Sequence, residues 1–185
     1  MIYHDLESIS LSKPYRASNE LTYLKESLDS GHVSSLGVFS QKCESWFEKH
    51  LSCSRALMTH SCTAALEMVA LLIETQPGDE IILPSFTFVS TANAFALRGA
   101  SLKFADSLPN HPNVDPASII SLISSRTKAI VVVHYAGMAI DMDSLLVICR
   151  EKNIFLIEDA AQGMHSHYKN KPVGTIGDFA TFSFH

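Results

Sequence analysis

Several short segments of the sequence carry side chains that could hold an anionic, planar ligand. The first is THSCTAAL at residues 59–66, which runs from an apolar stretch into a helical pattern. A helix start presents unpaired N–H groups and the positive end of the helix dipole, which favour a phosphate, and Ser61 and Thr63 add hydroxyls. Alternatively, Ser61 is only a helix N-cap with Thr63 in the first turn. The segment lacks the glycines of a P-loop or a Rossmann turn, so those nucleotide motifs are not indicated.

A second segment places two acids, Glu158 and Asp159, directly after the apolar run Phe155–Ile157 and before small residues. A carboxylate at this position can keep a pyridinium nitrogen protonated, which makes an aromatic ring an electron sink. The small neighbours would let a flat ligand approach closely. The alternative is that Asp159 caps a helix that starts at Ala160.

Two further segments could complete such a site. Phe88, in PSFTFVSTAN at residues 84–93, could stack on a planar ring or could be a core aromatic under a helix. Along the predicted strand 179–184, alternation sends Thr181 and Ser183 to one face and two phenylalanines to the other. Ser183 could therefore offer a hydroxyl to a phosphate, or be an ordinary buried serine.

The histidines give weaker signals. His165 and His167 are two residues apart with acids nearby, but no further ligands follow at metal-like spacing, so we predict no metal site. His134 ends an apolar run and is predicted to be a hydrogen-bonded structural residue. His60 lies beside the candidate phosphate site.

The elements that would position these residues alternate regularly from Arg55 onward, whereas residues 1–50 form a mixed, polar segment with helical patterns at 20–28 and 41–51. Strands are predicted at 56–58, 80–83, 101–105, 129–133, 154–157 and 179–184. Helices are predicted at 63–74, 90–98, 116–124 and 142–152. This alternation is typical of a parallel α/β sheet with helices on both faces. Ligands bind at the carboxyl ends of such strands, so the candidate residues should share one rim.

Composition limits the partners. A net charge of −5 and a pI near 5.9 argue against nucleic acid or an anionic membrane. The longest apolar run, at residues 129–140, is too short to span a bilayer. The four cysteines have no C-x-x-C spacing, and residues 1–10 do not resemble a signal peptide. We therefore expect a cytoplasmic protein with free thiols.

Taken together and in this order, the motifs resemble the DegT/StrS-type family of pyridoxal phosphate-dependent sugar aminotransferases. The resemblance extends from about Gly31 to the last residue and is carried by SCTAAL (61–66), PGDE (77–80), PSFTFVSTANA (84–94), HYAG (134–137), EDAAQG (158–163) and FSFH (182–185). Within the family, the motifs are most similar to the dTDP-4-amino-4,6-dideoxygalactose transaminases of bacterial surface-polysaccharide synthesis.

The resemblance implies pyridoxal 5'-phosphate as cofactor and a role for each matching residue. These residues are Cys62, Thr63 and Ser183 at the phosphate, Phe88 stacked on the ring, Asp159 at the pyridine nitrogen and Gln162 at the polar edge of the cofactor. It also implies transfer of an amino group from glutamate to a nucleotide-linked 4-keto-6-deoxy sugar, dTDP-linked in the most similar branch. Family members are homodimers of fold type I, and residues 51–185 would be an incomplete large domain of that fold.

One expected residue lies outside the sequence. In this family the Schiff-base lysine is three residues beyond the position of His185, and a further strand and a small carboxyl-terminal domain follow. Lys169 and Lys171 lie on the wrong side of the 179–184 strand to replace it. The 185 residues alone are therefore expected to be inactive. Two alternatives stay open: a sugar dehydratase of the same fold, with histidine in place of the lysine, and a non-catalytic fragment or assembly partner.

Overall fold

The computed structural model describes residues 13–185. The helices are α1 (Glu20–Asp29), α2 (Val38–Leu51), α3 (Cys62–Leu72), α4 (Val89–Ala96), α5 (Pro116–Ser121) and α6 (Asp143–Lys152). The strands are β1 (Glu80–Pro84), β2 (Ser101–Ala105), β3 (Thr127–Val133), β4 (Phe155–Asp159), β5 (His167–Tyr168), β6 (Lys171–Pro172) and β7 (Phe179–Thr181), with a 3-10 turn at Tyr135–Gly137.

Five strands form one sheet in the order β2-β1-β3-β4-β7, and every pair in it is parallel. The predicted α/β fold with a parallel sheet is therefore confirmed. The strands β5 and β6 form a separate antiparallel pair. Strands β1, β3 and β4 are buried almost throughout, because both faces of the sheet are covered by helices and the residues are mainly β-branched or leucine.

Alternation along the strands divides the core into two clusters. On one face, Ile130 and Leu156 pack with residues of α5 and α6, and we call this the α5/α6 face. On the other, Val131 and Ile157 pack with residues of α3 and α4, and we call this the α3/α4 face. Successive side chains of a strand point to opposite faces. The two acids that end β4 therefore separate, with Glu158 on the α5/α6 face and Asp159 on the α3/α4 face.

Local signals account for several helix starts. Ser61 caps α3 and Asp115 caps α5, each through a side-chain oxygen that accepts a backbone N–H. Pro116 occupies the first turn of α5, where a missing N–H has no consequence. The predicted helices agree with α1 to α6 to within a few residues at each end.

Two strand predictions were wrong in detail. Residues 56–58 form no strand, because the N–H groups of Ala56 and Met58 donate to the carboxylates of Glu48 and Glu44 on α2, at 3.2 and 3.0 Å. The last strand ends at Thr181 and does not continue to Phe184.

In the part of the chain from residue 13 onward, none of the helices has both the length and the apolar character needed to span a membrane. The segment predicted to lack a signal peptide, residues 1–10, lies outside the described residues. The proposed boundary between residues 50 and 51 stays a prediction.

Candidate functional site

The start of α3 has open backbone donors. The Ser61 side chain accepts the N–H of Ala64 at 3.1 Å, and its carbonyl accepts the N–H of Ala65. Ser61 is thus an N-cap, as the alternative to a phosphate role proposed. The N–H groups of Cys62 and Thr63 take no part in these bonds. They remain available at the positive end of the helix dipole, where an anion is favoured.

Asp159 is a buried carboxylate with two protein donors. Its Oδ2 accepts the Thr91 hydroxyl at 2.7 Å and its Oδ1 accepts the N–H of Ala161 at 3.2 Å. No helix starts at Ala160, so the helix-cap alternative was wrong, although Asp159 does hold the turn that follows it. Burial raises the pKa of Asp159, and the bonds from Thr91 and Ala161 offset this only in part. Among residues 13–185 no Lys, Arg or His forms an ion pair with it.

Residues after β1 reach the same carboxylate. The Thr87 and Thr91 hydroxyls are 2.8 Å apart, and because Thr91 donates to Asp159, Thr87 donates to Thr91. Phe88 lies between them in sequence, is the N-cap residue of α4 and is 73% exposed. It is therefore not a core aromatic, and its stacking on a ring stays a prediction.

The end of β7 lies beside both α3 and β4. Thr181 pairs with Asp159 across the sheet, and its carbonyl accepts the N–H of Ala160 at 2.9 Å. The Cys62 thiol lies beside the Thr181 hydroxyl. Burial raises the pKa of this thiol, the hydroxyl lowers it by less, and the charge of Asp159 raises it further. The contact between thiol and hydroxyl lacks regular hydrogen-bond geometry. Ser183 is half-buried and accepts the N–H of His185 at 3.3 Å.

Gln162 connects β4 to the turn after β3. Its Oε1 accepts the N–H of Ala136 at 2.7 Å, and this bond fixes the orientation of the side-chain amide. Asn113 binds the same turn, because its Nδ2 donates to the Met138 carbonyl at 2.7 Å and its Oδ1 accepts the N–H of Tyr135 at 3.1 Å. Sequence analysis missed Asn113, which stands in a loop of prolines and asparagines without a periodic pattern.

Glu158, on the α5/α6 face, has a different environment. Its carboxylate is fully buried and accepts the N–H groups of Gly174, Ile176 and Gly177 at 2.7–2.8 Å. His134 Nε2 lies 2.9 Å from it. Because His134 Nδ1 accepts the N–H of Ile140, the ring proton is on Nε2. The prediction of a structural role for His134 is confirmed.

The balance of effects on Glu158 is opposite to that on Asp159. Burial raises the pKa of Glu158, but the bonds from His134, Gly177 and Gly174 outweigh burial and hold the pKa below its usual value. Glu158 is therefore an ionised structural group.

The comparisons with known proteins agree with this arrangement. Residues 14–185 match the model of the DegT/DnrJ/EryC1/StrS aminotransferase family. The chain belongs to this family. A GDP-perosamine synthase of Caulobacter vibrioides is 38% identical over 180 residues, which cover 97% of this chain and 48% of that protein. The spore coat polysaccharide biosynthesis protein SpsC of Bacillus subtilis is 37% identical over 174 residues, or 94% of this chain and 44% of that protein.

Among solved structures, the putative sugar aminotransferase Spr1654 from Streptococcus pneumoniae, in its PLP form, superposes with a TM-score of 0.91 at 28% identity. The match covers 97% of this chain and 49% of that one. The chain thus spans about half the length of the curated relatives it matches. Pyridoxal phosphate is the cofactor of this DegT/DnrJ/EryC1/StrS family, as the sequence predicted.

The residues present fit this cofactor. Asp159 is buried without a cation, and the protonated nitrogen of a pyridine ring supplies one. The N-terminus of α3 offers unpaired N–H groups for a phosphate. The Thr181 hydroxyl between them is buried and has no hydrogen-bond partner. Asp159 thus requires a cation, the N-terminus of α3 an anion, and Thr181 a hydrogen-bond partner.

Lys169 does not belong to this DegT/StrS-type site. Lys169, in the turn between β5 and β6, forms an ion pair with Asp143 on α6, on the opposite face of the sheet from Asp159. Within residues 13–185 no group of three or more His, Cys, Asp or Glu side chains is arranged to hold a metal ion. His165 instead packs edge-on against Trp46.

Proposed function

We propose that the protein is an aminotransferase that uses pyridoxal phosphate to transfer an amino group from glutamate to a nucleotide-linked 4-keto-6-deoxy sugar. One observation carries the proposal: the buried carboxylate of Asp159 and the open N-terminus of α3 lie on the same face of the sheet, with Thr181 between them. The Schiff-base lysine is proposed at the position three residues beyond His185.

The described residues would divide the work of binding. Pyridoxal phosphate, when bound, supplies an electron sink for the carbon that gains or loses the amino group. Asp159 keeps the ring nitrogen protonated, and Thr91 fixes the orientation of that carboxylate through its 2.7 Å bond. The N–H groups of Cys62 and Thr63 hold the phosphate. Phe88 covers one face of the ring.

The substrate class is supported by the relatives. GDP-perosamine synthases of Caulobacter vibrioides, Escherichia coli and Vibrio cholerae are 38, 35 and 35% identical to the chain. Their names specify an amino sugar linked to GDP, whereas the motifs resemble the dTDP-dependent branch. A keto sugar carried by a nucleoside diphosphate is common to both. We propose dTDP as the nucleotide and surface-polysaccharide synthesis as the pathway.

Assembly and location complete the proposal. We infer a homodimer, because α1 has no buried residue and exposes Leu21, Leu24 and Leu28. Exposed apolar side chains of this kind are typical of an interface. A cytoplasmic location is supported by the four free cysteines. Light scattering on the purified protein tests the dimer, and a monomeric mass at micromolar concentration would contradict it.

The decisive experiment uses the protein as the cell makes it, with pyridoxal phosphate, glutamate and either dTDP- or GDP-linked 4-keto-6-deoxyhexose. Formation of 2-oxoglutarate together with the amino sugar supports the proposal, and the faster substrate identifies the nucleotide. Loss of a sugar hydroxyl without net transfer of an amino group to the sugar would indicate the dehydratase. Absence of product with every keto sugar would indicate a non-catalytic protein.

A further inference from the structure

We propose that the Thr181 hydroxyl is a ligand of the cofactor's phosphate group and that Glu158 is the residue that positions it. This inference rests on the proposed function, because it assumes that pyridoxal phosphate binds at the N-terminus of α3. Neither residue was assigned a role in binding by the sequence motifs, which assign the phosphate to Cys62, Thr63 and Ser183.

The starting observation is a hydroxyl without a partner. Within residues 13–185, three buried side-chain hydroxyls make no hydrogen bond, and they belong to Thr75, Ser144 and Thr181. Thr181 is 2% exposed, so water does not readily replace the missing partner. Buried polar groups in folded proteins are nearly always hydrogen-bonded. A ligand that accepts a hydrogen bond would supply the partner that Thr181 lacks.

The location of Thr181 indicates which ligand. It pairs with Asp159 on β4, so its side chain projects on the same α3/α4 face as that carboxylate. The Cys62 thiol, in the first residue of α3, lies beside its hydroxyl. The hydroxyl therefore points to the end of the site where the N–H groups of Cys62 and Thr63 are open. Thr75, by contrast, follows the other end of α3.

The chemistry of these donors selects an anion. Two N–H groups at a helix N-terminus and a hydroxyl can all donate, and a phosphate oxygen accepts several such bonds. The ring nitrogen of the cofactor is a donor and would face Asp159. Thr181 is therefore matched to the phosphate. Ser183, which accepts the N–H of His185, is less buried and differs in this respect.

Glu158 determines where Thr181 lies. Its carboxylate accepts three backbone N–H groups from the segment 174–177, which leads directly into β7. The approach is close, since a Cβ on Gly177 would lie 2.5 Å from the Leu156 carbonyl oxygen. The carboxylate of Asp178 also accepts a hydrogen bond from the N–H of Leu156, at 2.8 Å. These contacts set the register of β7 against β4, and hence the height of Thr181 beside Asp159.

The test compares Thr181→Val with a matched control. Valine keeps the shape of threonine and removes the hydroxyl, and Thr75→Val makes the same change at a buried, unpartnered hydroxyl outside the site. Calorimetric titration with pyridoxamine 5'-phosphate measures binding without a Schiff base. A lost hydrogen bond to a charged group weakens binding about ten- to a hundredfold, and we expect this for Thr181→Val. Thr75→Val should bind like the wild type, and Thr181→Ser should keep most of the affinity.

Two further measurements show whether the hydroxyl contacts the phosphate or another part of the cofactor. The Thr181→Val effect should vanish with pyridoxamine, which lacks the phosphate. Both valine variants should unfold at the wild-type temperature or above it, because each removes a buried hydroxyl without a partner.

Several results would overturn the inference. If Thr181→Val binds pyridoxamine 5'-phosphate with wild-type affinity, the hydroxyl does not contact the cofactor. If the variant weakens binding of pyridoxamine equally, the hydroxyl contacts a part of the cofactor other than the phosphate. An equal weakening of binding by Thr75→Val would mean that the Thr181→Val effect reflects only a change in the stability of the protein. These outcomes leave the proposed function standing, whereas failure of the wild type to bind pyridoxamine 5'-phosphate would contradict both.

The positioning role has its own readout. Glu158→Gln should weaken pyridoxamine 5'-phosphate binding in the Thr181 wild type, measured at a temperature where the variant is folded. In the Thr181→Val background the same change should have a smaller effect, because the residue that it positions has lost its hydroxyl. Fully additive effects would contradict the positioning role.

Discussion

Glu158 and Asp159 are neighbours in sequence, are both acids and are both buried, yet they occupy opposite faces of the sheet and opposite chemical situations. Glu158 accepts three backbone N–H groups and the His134 Nε2 proton. Asp159 accepts one hydroxyl and one N–H group. The number of fixed donors, and not burial, separates a carboxylate that holds the fold together from one that is available to a ligand.

The electrostatic consequence follows directly. Burial acts to raise the pKa of both acids, but in Glu158 the hydrogen bonds outweigh it and in Asp159 they do not. A bound cation at Asp159 would stabilise the charged carboxylate, which its two protein donors do only in part. The difference can be tested residue by residue.

The largest effect on stability is expected from Glu158→Gln. An amide keeps the size of the side chain but removes the charge and places an NH₂ against backbone donors. Breaking a buried charged network by changing one partner lowers the free energy of unfolding by about 3–5 kcal/mol. Denaturant unfolding measures it, with Glu151→Gln, an exposed change on α6, as the control. A loss comparable with the control would place Glu158 in the same class as Asp159.

Asp159→Asn should leave the fold intact and impair the proposed amino transfer. We expect kcat/KM for amino transfer to fall on the order of 10²- to 10³-fold, the size typical of a preorganised electrostatic group at a reacting centre. The free energy of unfolding should stay the same or rise, because a buried charge without a cation is removed. Steady-state assays and denaturant unfolding check the two halves, with exposed Asp106→Asn alongside. Full activity of Asp159→Asn would contradict the contrast between a structural Glu158 and a ligand-binding Asp159.

Gly177→Ala tests the close approach beneath Glu158 without touching its charge. The added Cβ would lie 2.5 Å from the Leu156 carbonyl oxygen, so β7 must shift. Overpacking of this kind lowers the free energy of unfolding by about 1–3 kcal/mol. Gly37→Ala is a suitable control, because its φ is −65° and its nearest contact would be 3.4 Å. Equal melting temperatures for the two variants would mean that the 174–177 segment yields easily.

The smallest effect is expected in the acid range, where the two carboxylates act in opposite directions. The pKa of Glu158 is lowered in the folded protein, so its contribution is present above the usual value of 4.5 and is lost as pH falls through the folded value. The pKa of Asp159 is raised, so its contribution is present below 3.8 and is lost as pH rises through the folded value.

Substitution should therefore separate the two slopes. Between about pH 5 and pH 3, Glu158→Gln should flatten the loss of stability with falling pH, and Asp159→Asn should steepen it. Thermal unfolding across this range measures both. Parallel curves for the two variants would show that neither acid dominates acid unfolding.

Much of the fold was predictable from local pattern. The apolar runs at residues 130–133 and 155–157 predicted buried parallel strands, and both are found in the central sheet, in β3 and β4. The wrong strand at residues 56–58 has a physical reason that the segment itself does not contain. Its N–H groups are satisfied by Glu44 and Glu48 from α2, and no local pattern reveals that competition.

The candidate site was predictable to a lesser degree. Asp159 and the start of α3 are signalled by residue type and by their place after a strand or before a helix. The role of Glu158 depends on backbone groups 16 or more positions away. The role of Thr181 depends on Cys62, which is far from it in sequence, and no spacing rule connects the two. Asn113 acts across 22 to 25 positions through a loop without periodicity.

The single tryptophan gives the molecule an internal optical reporter. Trp46 on α2 stacks on His50 with ring centroids 4.2 Å apart and meets His165, in the loop that follows Gln162, edge-on at 6.3 Å. Because His165 lies outside α2, the fluorescence of Trp46 should change if α2 separates from that loop, and this change can be recorded without any added dye or label.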